Sequence, residues 1–214
     1  MISRQKLLEA AARVFAEYGF RGATTRRIAE AAGVNEVTLF RLFGSKSALI
    51  AEALRAHALG VPTACALPET PQRPLAELTR WSAAQMAHLR ANRSLIAKTL
   101  AELNEHPEME PCMSEGRDCA FRELVMYARA LRATGAAITE AEARAAASMM
   151  LSAIFADAMW RPVGSDTLPQ PEAQAPQLYS RLFLRALGCP IARRSRRATP
   201  KGRGARPRAV RLGA

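Results

Sequence analysis

The sequence predicts an all-α protein with a small N-terminal helical domain followed by a larger one. Its 214 residues are 49% hydrophobic but only 6% aromatic, a composition that favours helices. Apolar residues recur three and four positions apart, which is the period of amphipathic helices. Four prolines within residues 60–74 indicate a linker. We expect domains at residues 1–59 and 60–190, followed by a basic tail at 191–214 that should be disordered.

A helix-turn-helix pattern occupies residues 24–43. Thr24 or Thr25 can cap its first helix, because either hydroxyl accepts a hydrogen bond from the free N–H groups of the first turn. Gly33 stands where this helix must end, since glycine adopts the left-handed conformation without steric cost. Asn35 is a natural N-cap for the second helix. The helical period predicts three inward residues, Leu39, Leu42 and Phe43, and five outward residues, Glu36, Val37, Thr38, Phe40 and Arg41.

One helix on each side is predicted to support this pair, since neither short helix is stable alone. The first runs from Ser3 to Tyr18 and ends at Gly19. The second is capped by Ser45 and extends to about Leu59. Its apolar stripe consists of Leu49, Ile50, Ala53 and Leu54.

The positive charge is concentrated at the two ends of the chain. The net charge is +12, with +4 in residues 1–50, −1 in residues 51–190 and +9 in residues 191–214. Basic ends suit contact with nucleic-acid phosphates. Arginine makes up 27 of the 31 basic residues, so a GC-rich genome would give a similar excess whatever the function.

Residues 7–50 resemble the DNA-binding domain of the tetracycline-repressor (TetR) family of bacterial regulators. The matching segments, in order, are LLEAAARVFAEYGF, TTRRIAEAAGV, NEVTLFRLF and GSKSALI. A short, braced helix with small and polar residues at its exposed N-terminal end fits a DNA major groove. The resemblance implies a homodimeric transcriptional repressor that binds double-stranded DNA at a palindromic operator.

The resemblance also implies two kinds of DNA contact. The residues expected at phosphates are Thr24, Thr25, Phe40 and Lys46, and those expected at base edges are Arg26, Glu36, Val37, Thr38 and Arg41. Asn35, the cap of the recognition helix, belongs to the same candidate set. Phe40 departs from the family, which usually has tyrosine there, so a phosphate hydrogen bond is in doubt at that position. For Lys46, a solvated side chain is the alternative.

Five further helices are predicted in the larger domain, at about residues 74–91, 92–105, 111–132, 140–160 and 177–187. The segment from Thr139 to Glu142 is a capping box for the fourth of them. The last two helices carry more apolar surface than one small domain readily covers, so we expect a two-fold, four-helix interface. Its candidate residues are Met150, Ile154, Phe155, Leu178, Leu182 and Phe183. The alternative is a monomer with a large core.

No catalytic motif is present, and the four cysteines and three histidines lack metal-ligand spacing. We therefore expect no enzyme, no metal and no cofactor. The resemblance implies instead a mostly apolar pocket for a small effector of unknown identity. The candidate lining residues are Trp81, Gln85, His88, Tyr127, Met150 and Phe155, for which a plain core role is the alternative.

Three functions remain open from the sequence. The first is a ligand-responsive repressor. The second is a DNA-binding protein of the same fold without a small-molecule ligand, controlled by a protein partner or acting architecturally, whose tail adds sequence-independent phosphate contacts. The third, a helical enzyme or adaptor with a vestigial DNA-binding domain, is disfavoured by the intact outward face of residues 36–41. With no membrane-spanning apolar run and no recognisable signal peptide, a cytoplasmic protein is expected, associated with the bacterial nucleoid when bound to DNA.

Overall fold

The computed structural model describes residues 4–57, 66–132, 138–164 and 168–189. Within these ranges the regular secondary structure is helical, with no strand, which confirms the all-α prediction. The helices are α1 Arg4–Gly22, α2 Thr25–Ala32, α3 Glu36–Phe43, α4 Lys46–His57, α5 Pro74–Ala91, α6 Arg93–Glu102, α7 Glu110–Arg132, α8 Glu140–Trp160 and α9 Ala175–Ala186. Short 3-10 turns at Pro107–Met109 and Glu172–Gln174 precede α7 and α9.

The helix-turn-helix forms with the predicted caps. Thr24, rather than Thr25, caps α2, and its hydroxyl accepts a hydrogen bond from the Arg27 N–H at 3.2 Å. Gly33 ends α2 in the left-handed conformation, with φ 69° and ψ 37°. Asn35 caps α3 through a 2.9 Å hydrogen bond from the Val37 N–H. These local interactions fix the angle at which α3 leaves the turn.

Helix α1 differs from its prediction. Gly19 was expected to end the helix, but helical turns continue to Gly22 beyond a break at Gly19, where φ is 68° and ψ is −176°. Glycine tolerates this positive φ. The break therefore changes the direction of the helix while keeping it joined to α2.

Two hydrophobic cores organise the fold. The first contains buried residues of α1 to α4 together with Leu95 and Ile96 of α6 and Met159 of α8. The second is formed by α5, α7, α8 and α9 around Trp81 and Leu124. Among the N-terminal helices, α1 thus packs directly on α6, and α4 packs on α7. The predicted domain boundary at residues 59 and 60 and the tail at 191–214 lie outside the described residues.

A buried acidic group ties three helices of the second half together. Asp157 of α8 is fully buried and accepts hydrogen bonds from Arg90 of α5 at 2.9 Å, Arg161 at 2.9 Å and the Tyr179 hydroxyl of α9 at 2.8 Å. Burial alone would raise the pKa of this carboxyl. The hydrogen bonds from Arg161, Tyr179 and Arg90 outweigh burial and lower the pKa to about 2.

Candidate nucleic-acid interface

The recognition helix α3 is anchored on one side only. Leu39 is fully buried, and Phe43, one turn later, packs against the same core. Leu42 was predicted to point inward, but it is 41% exposed and that prediction is wrong. Leu42 lies about 100° around the helix from Phe43. It therefore falls at the rim of the buried face.

The outward face of α3 is open to solvent. Val37 is 71% exposed and Phe40 46% exposed, and Arg41 is also exposed. Glu36 and Thr38 are half-buried. This face combines a β-branched apolar residue, an aromatic ring and a cation, which can contact thymine methyl groups, the sugar–phosphate surface and guanine respectively.

The N-terminal ends of α2 and α3 meet through two candidate residues. The Thr25 hydroxyl donates a hydrogen bond to the Glu36 carboxylate at 3.5 Å. Glu36 is the first residue of α3, where a negative charge is favourable for the helix dipole. Both residues therefore already have a structural partner in the protein, and a DNA contact by either must share or replace it.

Arg26 is largely exposed at the start of α2. Its Nε donates a hydrogen bond to Glu30 Oε1 at 3.0 Å, one turn along the same helix. An exposed pair of this kind contributes little to stability. Because the bond uses Nε, the two terminal nitrogens of the guanidinium are left to make a paired contact with guanine O6 and N7.

The structure gives Lys46 an intramolecular partner. Its Nζ donates a hydrogen bond to the Phe20 carbonyl oxygen at 2.9 Å and lies 4.2 Å from the centroid of the Phe20 ring. The residue is half-buried. One of the three N–H donors of its ammonium group is therefore bonded within the protein.

Two arginines, Arg4 of α1 and Arg27 of α2, lie over aromatic rings. The guanidinium carbon of Arg4 lies 5.0 Å from the centroid of Phe43, at the end of α3. That of Arg27 lies 4.1 Å from the centroid of Tyr18. Sequence reasoning did not select Arg27, although its position directly after Arg26 was a usable signal. Cation–π contact of this kind orients each guanidinium.

Comparison with known proteins agrees with this geometry. The family model described as "Bacterial regulatory proteins, tetR family" matches residues 7–53. Over 47 residues the chain is 51% identical to the HTH-type transcriptional repressor AcnR of Corynebacterium efficiens, covering 22% of this chain and 25% of the relative. Over residues 7–53 the chain is therefore similar to the TetR family of bacterial regulatory proteins. That family and the curated relatives are transcriptional regulators rather than enzymes.

A second curated relative matches over a similar stretch. Solved structures are similar in fold over most of the chain. The HTH-type transcriptional repressor KstR2 of Rhodococcus jostii is 46% identical over 52 residues, covering 24% of this chain and 26% of the relative. The matches to AcnR and KstR2 thus span about a quarter of each relative's length. A TetR-family structure from Mesorhizobium loti has a TM-score of 0.67 at 17% identity, covering 85% of this chain and 95% of that one. A regulator from Pseudomonas aeruginosa PAO1 has a TM-score of 0.70 at 21% identity, covering 86% and 89%. These two likenesses show the fold.

The six candidate effector-pocket residues are divided between the two cores and their surroundings. Trp81, Tyr127 and Met150 are buried in the second core, whereas Phe155 packs against the first. Gln85 is also buried, and His88 is half-buried. That these residues line an effector pocket stays a prediction. The buried apolar and aromatic candidates pack as core residues, which is the alternative role stated for them above.

The polar atoms of the two aromatic candidates are already bonded. The Trp81 indole N–H donates to Glu123 at 2.9 Å, and the Tyr127 hydroxyl donates to Glu77 at 2.5 Å. Burial and this hydrogen bond raise the pKa of Tyr127. A surface cleft in the described part of the chain lies elsewhere, between α5 and α9. It is lined by residues that include Leu75, Thr79, Arg80 and Leu184, and by none of the six candidates.

The candidate dimer residues divide into buried and exposed sets. Met150, Ile154 and Phe183 are buried within the subunit's own second core, so their side chains offer no surface to a partner. Phe155 and Leu178 are half-buried, and Leu182 is 58% exposed. The sequence of α8 is apolar on nearly every side, so the period alone could not separate its inner face from its outer face.

Other kinds of site receive no support in the described residues. No group of three or more histidine, cysteine, aspartate or glutamate residues there could hold a metal ion. None of the helices in these ranges has the length and apolar character needed to cross a membrane.

Proposed function

We propose that this chain is a transcriptional regulator that binds a palindromic DNA operator as a homodimer and acts as a repressor released by a small-molecule effector. The observation that carries the proposal is the exposed face of α3, held by a capped helix-turn-helix inside the segment that matches known repressors. Such a helix presents side chains to base edges in the major groove. DNA binding also implies action in the cytoplasm, at the chromosome.

The exposure of the candidate residues supports assigning some of them to DNA bases and others to the DNA backbone. Val37 and Arg41, on the open face of α3, and Arg26, with its terminal nitrogens available, are proposed to read bases. Thr38 and Glu36 are proposed to do so from the rim of this face. Thr24, Thr25 and the cap Asn35 are proposed near the DNA backbone, where the Phe40 ring would pack on sugar and phosphate.

A corrected set of residues supports the proposed dimer. One exposed or half-buried stripe follows α8 at intervals of three and four, and consists of Ala145, Met149, Ser152, Ala156 and Trp160. A second follows α9 at intervals of four, and consists of Leu178, Leu182 and Ala186. Met149 is 71% exposed and Leu182 58% exposed. Two such stripes per subunit can form a four-helix interface across a two-fold axis.

The second candidate is a regulator of the same fold that has no small-molecule ligand. The observation that favours it is the closed packing around Trp81 and Tyr127, whose polar atoms are bonded to Glu123 and Glu77. An apolar effector at this place would have to move packed side chains. A thermal-shift screen separates the two, because an effector raises the melting temperature by mass action and should also release DNA.

The DNA-binding proposal is tested by selection. The full chain is incubated with a random-sequence duplex library, and bound duplexes are recovered and sequenced over several rounds. We expect an inverted repeat with G·C pairs in each half, because Arg26 and Arg41 can pair with guanine. Recovery of no enriched sequence at low salt would contradict the proposal.

A further inference from the structure

The cleft between α5 and α9, here called the α5–α9 cleft, has the size of a small-molecule site. Its volume is about 730 Å³, and such sites occupy about 300–1,000 Å³. The hydroxyls of Ser82 and Ser180 are 3.2 Å apart. Arg90, later in α5, pairs with Glu172, which precedes α9, at 2.6 Å. The two helices therefore run antiparallel, and the start of α5 lies beside the end of α9.

The floor of the α5–α9 cleft is apolar. Leu184 of α9 is 2% exposed, and Leu75 of α5 is half-buried. The Thr79 hydroxyl donates to the Leu75 carbonyl oxygen at 2.6 Å, so its hydrogen is already bonded within α5. The cleft follows α5 from Arg73 to Ala83, a rise of about 15 Å. It can therefore hold an extended apolar chain of about that length.

The charged side chains that line the cleft are all positive. Arg73 and Arg80 line it, and none of its lining residues is acidic. Glu77, between them in sequence, accepts hydrogen bonds from the Tyr127 hydroxyl at 2.5 Å and from the Arg73 N–H at 2.7 Å. Within the described residues neither guanidinium forms an ion pair, although the Arg73 and Glu77 charges interact at longer range. Both guanidiniums thus keep their donors for a partner from outside the subunit.

The Arg73 end of the cleft is also the start of α5. This helix begins at Pro74 without a side-chain cap, so N–H groups of its first turn can still bond an acceptor. The helix dipole adds positive potential at the same end. Cys189, just after α9, lines the cleft here, and burial raises the pKa of its thiol. A neutral thiol does not repel an anion.

We propose that the α5–α9 cleft binds an alkyl carboxylate. Its carboxylate lies at Arg73, where the guanidinium can form paired, charge-assisted hydrogen bonds. Its alkyl chain lies over Leu75 and Leu184 and extends towards Ala83. The site is separate from the effector pocket predicted around Trp81, and the inference does not rest on the proposed DNA binding.

Charge and position disfavour two other occupants. The tail at residues 191–214 has nine basic and no acidic residues, so the arginines of the cleft repel it. The α9 residues that line the cleft, Gln177 and Leu184, lie outside the stripe of Leu178, Leu182 and Ala186 proposed for the dimer. The proposed dimer therefore leaves the cleft open.

The charge preference is tested by isothermal titration calorimetry on the full chain. Decanoate should bind at one site per subunit, and decyltrimethylammonium, with the opposite charge on an alkyl chain of the same length, should bind at least about tenfold more weakly. Arg73→Gln should weaken decanoate binding about tenfold. Arg122→Gln, at an exposed arginine of α7, is the control and should leave it unchanged. Equal binding of the two amphiphiles, or full affinity in Arg73→Gln, would overturn the proposal.

The location is tested with two exposed alanines of α5. Only Ala83 lines the cleft, and Ala87 follows one turn later. Ala83→Phe fills the apolar end of the cleft and should weaken decanoate binding at least about tenfold, since the alkyl chain loses its buried surface. Ala87→Phe should bind decanoate as the unsubstituted chain does. Full affinity in Ala83→Phe would place decanoate elsewhere in the protein and overturn the assignment.

A third test needs no substitution. Cys189 lies in the cleft, whereas Cys119 is exposed on α7 and serves as the internal control. Alkylation by iodoacetamide at constant pH is followed for each cysteine by peptide mass spectrometry. Decanoate at ten times its Kd should slow the reaction of Cys189 about tenfold by mass action and leave that of Cys119 unchanged.

Three outcomes of the alkylation experiment would overturn the proposal. Unchanged reaction of Cys189 would mean that decanoate does not enter the cleft. Equal slowing of Cys119 would show a general effect of the amphiphile on the protein. Slowing of Cys189 that grows with protein concentration in the absence of decanoate would show that a second copy of the chain covers the cleft.

Discussion

Arg90, near the end of α5, donates a 2.9 Å hydrogen bond to the fully buried carboxylate of Asp157 in α8. The same arginine pairs with Glu172 at 2.6 Å, in the turn before α9. One guanidinium therefore links α5 to α8 and to the turn that leads into α9, the two helices proposed to form the dimer. The orientation of α8 and α9 therefore depends on the buried carboxylate of Asp157 and on the arginine that balances its charge.

Asp157→Asn should destabilise the fold at neutral pH. Removing one partner of a buried ion pair leaves the other charges uncompensated, which costs about 3–5 kcal/mol. The free energy of unfolding, measured by urea titration with circular dichroism, gives this difference. A loss below about 1 kcal/mol, the size of an exposed pair, would contradict the structural role of Asp157.

The lowered pKa of the Asp157 carboxyl predicts that the free energy of unfolding depends on pH. Its folded pKa of about 2 lies below the ordinary value of 3.8, so the stability it contributes is present above about pH 4 and is lost as pH falls towards 2. The difference in pKa corresponds to about 2 kcal/mol. Urea titrations through this range should show a smaller pH dependence for Asp157→Asn than for the unsubstituted chain. Identical profiles would contradict the lowered pKa.

The dimer is tested by two neighbouring positions on α9. Leu182 is exposed, so Leu182→Glu should give a folded monomer in light scattering after size exclusion, with its helical signal retained. Phe183 is buried in the subunit's own core, so Phe183→Glu should instead unfold or precipitate. A Leu182→Glu protein that elutes as a folded dimer would exclude this face as the interface.

Gly19 and Gly33 both have a positive φ, but their ψ angles are −176° and 37°. Their φ angles are 68° and 69°, but only at Gly19 would a Cβ atom meet a neighbour, the Glu102 carboxylate. Alanine should cost about 1–2 kcal/mol of backbone strain at Gly33, which is left-handed, and more at Gly19, whose φ and ψ are adopted almost only by glycine. Gly19→Ala should cost a further 1–3 kcal/mol or so, because displacing Glu102 leaves the Phe20 N–H without its acceptor. Equal losses in thermal unfolding would contradict this account.

Deleting residues 191–214 removes nine basic and no acidic residues. If the tail contacts phosphates without reading sequence, binding at low salt should weaken and its salt dependence should flatten, while the preferred sequence stays the same. The salt slope of the truncated chain on the selected duplex gives the answer. An unchanged slope would mean that the tail takes no part in binding.

Local features could be predicted from the sequence, and long-range ones could not. The caps Thr24 and Asn35 and the left-handed Gly33 depend on residues within a few positions, so their chemistry is visible in the sequence. The outward turn of Leu42 and the inner position of Phe183 depend on which helix packs alongside. The contact between Phe20 and Glu102 spans 82 positions, and no periodicity indicates it.

We propose that this chain reads DNA sequence through α2 and α3. The substitution Arg26→Ala removes the side chain expected to bond guanine and so tests this proposal. The variant and the unsubstituted chain are each titrated against the selected inverted repeat and every single-base change in it. Arg80→Ala, at an exposed arginine of α5, is the matched control for loss of one positive charge. Arg26→Ala should lose about 1–3 kcal/mol of DNA-binding free energy and relax the preference at one base position per half-site. Arg80→Ala should rank all the duplexes by affinity as the unsubstituted chain does. If Arg26→Ala binds all the duplexes in the same order as the unsubstituted chain, Arg26 does not read a base and the account of the interface is wrong.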